Sequence, residues 1–173
     1  QAFIDHLNNH WRPIRAESVD HFQGWDCLEE ILSGTCHDKN LNRATEIYIY
    51  SVPNMPGWYK IGISYNSKER SSIKQSNGLY DELIAIWTLG NRRQAVLIET
   101  ALLRDNSLGK PGESQLHLSH LTGRTEVRSA DSRLLVEHTQ RLVDSIVTCN
   151  SWKEWALGNI PNLSNWEIQE LNS

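Results

Sequence analysis

Cysteine is scarce in this chain, with three among 173 residues, at Cys27, Cys36 and Cys149. An odd count with no Cys-x-x-Cys pair argues against a disulfide framework and points to a reducing, cytoplasmic setting. Apolar runs are short as well. None approaches the ~18 residues of a membrane span, so no membrane partner is expected. The opening Gln1-Ala2-Phe3-Ile4-Asp5-His6 carries neither the charged nor the apolar block of a secretion signal. A chain opening on Gln is expected to have been processed or trimmed. There is no glycine-rich phosphate loop, no Gly-x-Ser-x-Gly elbow, no internal repeat and no low-complexity tract. Positive charge is in deficit: 17 Lys and Arg stand against 21 Asp and Glu, a net −4, which rules out binding nucleic acid by bulk charge alone.

What is present describes an ordered chain of one domain's size. It is 39% hydrophobic with 10 Gly and 5 Pro, which fits neither disorder nor a fibre. Its charge is uneven. Residues 1–45 hold four Lys and Arg against seven Asp and Glu, 46–105 hold seven against six, and 106–173 hold six against eight. Within the middle section Lys60, Lys68, Arg70 and Lys74 oppose only Glu69, and Arg92-Arg93 follow. That run reads either as a solvated face or as a local positive patch on an acidic protein.

The pattern along the chain predicts an α+β fold: a small three-stranded antiparallel sheet flanked by helices, with helical N- and C-terminal extensions. Trp25, Leu28, Ile31 and Leu32 have helical spacing in an otherwise polar 1–45 segment. Residues 46–52 and 58–64 are rich in aromatic and β-branched types around Pro53-Asn54-Met55-Pro56-Gly57, which predicts a β-hairpin. A short helix follows from Ser67 to about Ser76, then a third strand over 82–89. Asn91 caps a helix through Arg104. After a loop with a Lys110-Pro111-Gly112 turn come short strand candidates at 115–119 and 124–128. Asp131 begins a long helix to about Thr148, and Pro161 divides the tail into two helical pieces. His117 and His120, three apart with no Cys partner, read as surface residues. Trp152 and Trp155 read as packing the last helices onto the domain.

Two features carry chemistry. If the hairpin pairs symmetrically about Asn54, Tyr48 faces Lys60, Tyr50 faces Trp58, Ile49 faces Tyr59 and Ile47 faces Ile61. One face then holds Ile47, Ile49, Tyr59, Ile61 and Ile63, a good core. The other holds Tyr48, Tyr50, Trp58, Lys60 and Gly62, which is aromatic with an amine in its middle. The second feature is Glu99, whose helical neighbours are Ala95, Val96, Leu102 and Leu103. A carboxylate inside an apolar stripe is costly unless a cation compensates it, and the candidates are a metal ion, Lys60 or Arg70.

Ile47-Tyr48, then Tyr59-Lys60-Ile61-Gly62-Ile63-Ser64, then Arg70, then Glu99 in a helix, resembles the GIY-YIG nuclease superfamily, in the phage and bacterial branch whose second motif reads Lys-Ile-Gly. The resemblance covers residues 46–128, with 1–45 and 129–173 as N- and C-terminal extensions. It implies a metal-dependent DNA endonuclease hydrolysing phosphodiester bonds on one metal ion. Tyr48 would stand near the attacking water, and Lys60 would act as general base or hold the phosphate and water. Arg70 would stabilise charge on the scissile phosphate. Glu99 would hold a single Mg²⁺ or Mn²⁺. Trp58, Lys68, Lys74, Arg92 and Arg93 would contact DNA. These side chains are expected to converge on one exposed pocket. With one centre per chain, double-strand cleavage would take a homodimer or two sequential nicks.

The sequence departs from the family pattern at several points. Glu46 replaces the first glycine, and two frequent histidines are absent. Val127 replaces the aromatic of the late Gly-x-x-Glu-aromatic element, here Gly123-Arg124-Thr125-Glu126-Val127. The alternative these losses leave open is a catalytically inactive nucleic-acid-binding module of the same fold.

Overall fold

A computed structural model of the chain describes residues 25–34, 41–65, 82–110 and 126–173. Helix α1 (Trp25–Ser33) buries Leu28 and Ile31 and ends at Gly34, whose φ of 71° is the left-handed turn that glycine closes at no steric cost. Strands β1 (Thr45–Ser51) and β2 (Trp58–Ser64) form the hairpin. Its loop closes where Met55 N donates to Val52 O at 3.2 Å and Trp58 N to Met55 O at 3.1 Å.

The observed register is centred on Met55: Tyr48 lies opposite Gly62, Ile49 opposite Ile61 and Tyr50 opposite Lys60. Pairing about Asn54 is therefore off by two residues, because the loop 53–57 is closed where Val52 N donates to Trp58 O at 3.1 Å, which centres the hairpin on Met55. The error is an even number, so every side chain keeps the face expected of it.

Strand β3 (Leu83–Leu89) pairs with the other edge of β1, and β4 (Val127–Ser129) pairs with β2, giving an antiparallel order β3-β1-β2-β4. The sheet thus has four strands where three are expected, the fourth falling at the end of the 124–128 strand candidate. β4 spans three residues and is held from outside itself. Gly109 and Ser129 exchange N–H···O bonds of 3.0 and 2.8 Å. The predicted helix at 67–76 and strand at 115–119 lie outside the described residues.

Helix α2 (Arg92–Leu103) starts where Asn91 accepts the Gln94 amide at 2.9 Å. It is buried continuously from Ala95 to Leu103, as befits a helix apolar on most of its surface. Helix α3 (Ser132–Thr148) is capped by Asp131, which accepts the Leu134 amide at 3.1 Å. Helices α4 (Trp152–Asn159) and α5 (Asn165–Asn172) are capped by Ser151 and Ser164, the latter in a reciprocal box with Glu167.

One apolar cluster joins these parts: Ile47, Ile49 and Ile61 of the sheet, Ala95 to Leu103 of α2, Leu135, Leu142 and Ile146 of α3, Trp155 of α4 and Leu171 of α5. The last helices are also tied in by polar bonds. Arg104, just past α2, makes a forked pair with Glu167 at 2.9 and 2.8 Å. Trp155 Nε1 donates to Ser145 Oγ at 2.8 Å. No helix among the described residues is long and apolar enough to cross a membrane.

Candidate active site

The isoleucines of the hairpin face α2, and the alternate residues make a second, separate cluster on the other face. Tyr48 and Tyr50 are each 2% exposed and pack together with ring centroids 4.9 Å apart, with Leu83 against them. Pairing across all four strands sets Leu83, Tyr50, Lys60 and Val127 in one row, and Ile86, Tyr48 and Gly62 in the next.

Gly62 has a specific reason to be glycine. A Cβ built there would meet the Tyr48 hydroxyl oxygen at 2.5 Å and its Cζ at 2.6 Å. The tyrosine ring therefore lies across the bare backbone, a place only glycine leaves open.

Lys60 is 2% exposed, set among apolar and aromatic neighbours. Its ammonium donates to Ile61 O at 3.3 Å and pairs with the carboxylate of Glu126. β4 explains the pairing: Val127 lies opposite Lys60, which brings the residue just before it within reach of Nζ. The carboxylate lies against the buried ammonium and offsets its charge.

Glu99 lies in the middle of α2, 1% exposed, on a helix stretch whose Ala95, Val96, Leu102 and Leu103 are all fully buried. It is a single hard oxygen donor. Among the described residues no group of three His, Cys, Asp or Glu could hold a metal ion.

The structure thus brings Tyr48, Lys60 and Gly62 together on one sheet face, whereas α2, which carries Glu99, packs against the opposite, isoleucine face. The expected convergence of Tyr48, Lys60 and Glu99 on one pocket is therefore not what the described residues form. These three polar side chains are buried, where an exposed pocket is expected. Arg70, Lys68 and Lys74 lie outside the described residues. Trp58 is half-buried at the start of β2. Arg92 and Arg93 open α2. Arg92 lies 3.6 Å from Glu30, and Arg93 stacks 4.8 Å from the Trp152 ring centre.

Two polar residues lie beyond the expected set, Glu126, which is half-buried, and Arg128. Glu126 had a signal, the Gly-x-x-Glu element, whereas Arg128 had none. Arg128 is 1% exposed and donates to Leu103 O at 2.9 and 3.2 Å and to Val127 O at 2.7 Å. Its guanidinium satisfies the carbonyl end of α2, where positive charge is favoured. Burial lowers its pKa to about 10, so it remains charged at neutral pH.

No protein-family model matches this chain, and no curated protein or solved structure matches it.

Proposed function

We propose that the protein is a metal-dependent DNA endonuclease with a GIY-YIG-like centre. The observation that carries this reading is the Tyr48–Lys60–Gly62 face, where a hydroxyl and an ammonium share one side of a hairpin against a backbone that must stay bare. In this reading Lys60, held by Glu126, fixes the scissile phosphate and the attacking water. The Tyr48 hydroxyl orients that water for in-line attack, and Arg70 adds positive charge at the phosphate. Glu99, on the helix packed against the opposite sheet face, would supply one carboxylate for Mg²⁺ or Mn²⁺. When bound, the ion would offset charge on the phosphate and its leaving oxygen.

The burial of Tyr48, Lys60 and Glu99, at 1–2% exposure, favours a second reading: a nucleic-acid-binding module of the same fold without turnover. A supercoiled-plasmid nicking assay with Mg²⁺ and with Mn²⁺ separates the two. The nuclease produces nicked circles that vanish in a folded Glu99→Gln variant which still binds DNA. Binding by the wild-type chain with no nicking under either ion would leave the module.

A further inference from the structure

Two aromatic rings away from the Tyr48 face are each set between two cations. Arg43 lies 4.0 Å from the ring centre of Tyr65, and Arg92 lies 5.8 Å from the same ring. Arg93 lies 4.8 Å and Lys153 5.7 Å from the ring centre of Trp152. Arg92 and Arg93 are consecutive in the first turn of α2, so the two sets meet there, at the end of the helix where the backbone dipole is positive. Surface arginines usually sit against carboxylates. Here Arg43 is exposed and sits against a ring, and half-buried Arg93 sits against another with its Nε buried, so a ligand would meet the Arg93 guanidinium through its terminal nitrogens only. Glu30, 3.6 Å from Arg92, offsets part of the charge. On a protein of net −4, four cations interleaved with two rings form a local positive track.

We propose that this track, from Arg43 and Tyr65 through Arg92 and Arg93 to Trp152 and Lys153, binds single-stranded DNA. Phosphates meet the cations and unpaired bases stack on the rings or on the guanidinium planes, an arrangement that a duplex, with its base faces already stacked, does not allow. The inference rests on the nucleic-acid part of the function proposed above and is independent of cleavage.

The test is fluorescence anisotropy with the full chain, no divalent ion, a labelled oligothymidylate and a labelled duplex of equal length. Arg43→Gln with Arg93→Gln weakens single-strand binding roughly tenfold and lowers the slope of log affinity against log salt by about 1.4, about 0.7 per cation removed. Tyr65→Leu weakens single-strand binding roughly tenfold and leaves duplex binding within about twofold. Glu30→Gln tightens it. Trp152 also packs on the core, so it is left intact, and denaturation midpoints verify that the other variants are folded. Single-strand binding with wild-type affinity and salt slope in the arginine and Tyr65 variants overturns this track and leaves the nuclease reading standing. A wild-type chain that binds neither DNA overturns both.

Discussion

Gly62→Ala probes the centre of the Tyr48 face with a single methyl group. The new Cβ would lie 2.5 Å from the Tyr48 oxygen, 2.6 Å from Cζ and 3.0 Å from Cε2. Ordinary contacts between such atoms are about 3.5–4.0 Å, so the overlap is roughly 1 Å at the two nearest atoms. The ring has little room to withdraw, since Tyr48 is 2% exposed and packs on Tyr50. Overpacking of this kind costs about 1–3 kcal/mol. The lower chain entropy of alanine in the unfolded state returns about 0.4–1 kcal/mol of that. A net loss of about 1–2 kcal/mol lowers the urea midpoint by roughly 0.5–1 M at an m of about 2 kcal/mol/M. The decisive assay is a double-mutant cycle with Tyr48→Ala, read by urea denaturation. In the Tyr48→Ala background Gly62→Ala is neutral or stabilising. An equal loss in both backgrounds would show that the ring is not what keeps residue 62 bare.

Three further outcomes follow from the polar ties. Burial raises the Glu167 pKa, but bonds from Arg104 and Ser164 outweigh it and hold the carboxyl below its usual range. Its contribution is therefore complete above the ordinary Glu value of about 4.3 and fades as pH falls through the lower folded value. Glu167→Gln, which can keep the helix cap, lowers stability at pH 7 by about 3 kcal/mol, and the gap between its denaturation midpoint and that of wild type narrows as pH falls below the ordinary Glu value. Arg128→Met leaves the Leu103 carbonyl without its guanidinium donors and costs about 2 kcal/mol or more, measured by urea denaturation. Asp131→Ala removes the α3 cap and costs about 1 kcal/mol in the same assay.

Local chemistry was the readable part of the sequence. Asn91 and Asp131 marked their helices because a capping side chain needs only the next turn. The two faces of the hairpin were readable because alternation survives an even slip, even though the loop's hydrogen bonds moved the register by two. What escaped was non-local. Glu126 meets Lys60 only after β4 adds to the sheet, and Arg104 meets Glu167 across 63 residues although Ser164-x-x-Glu167 is visible as a cap. Arg128, in a three-residue strand, gives no sign of the helix end it covers. The depth of burial at Tyr48, Lys60 and Glu99 depends on how layers stack, which no window of sequence reports.

Single-turnover cleavage of an end-labelled oligonucleotide in Mn²⁺, for Tyr48→Phe, Lys60→Met and the double variant, bears most directly on the proposed centre. If both groups act on one phosphate, each single change slows cutting about 10²-fold or more and the double is scarcely worse than either. Cutting at the wild-type rate by both folded single variants would show that the Tyr48–Lys60 face takes no part in the reaction.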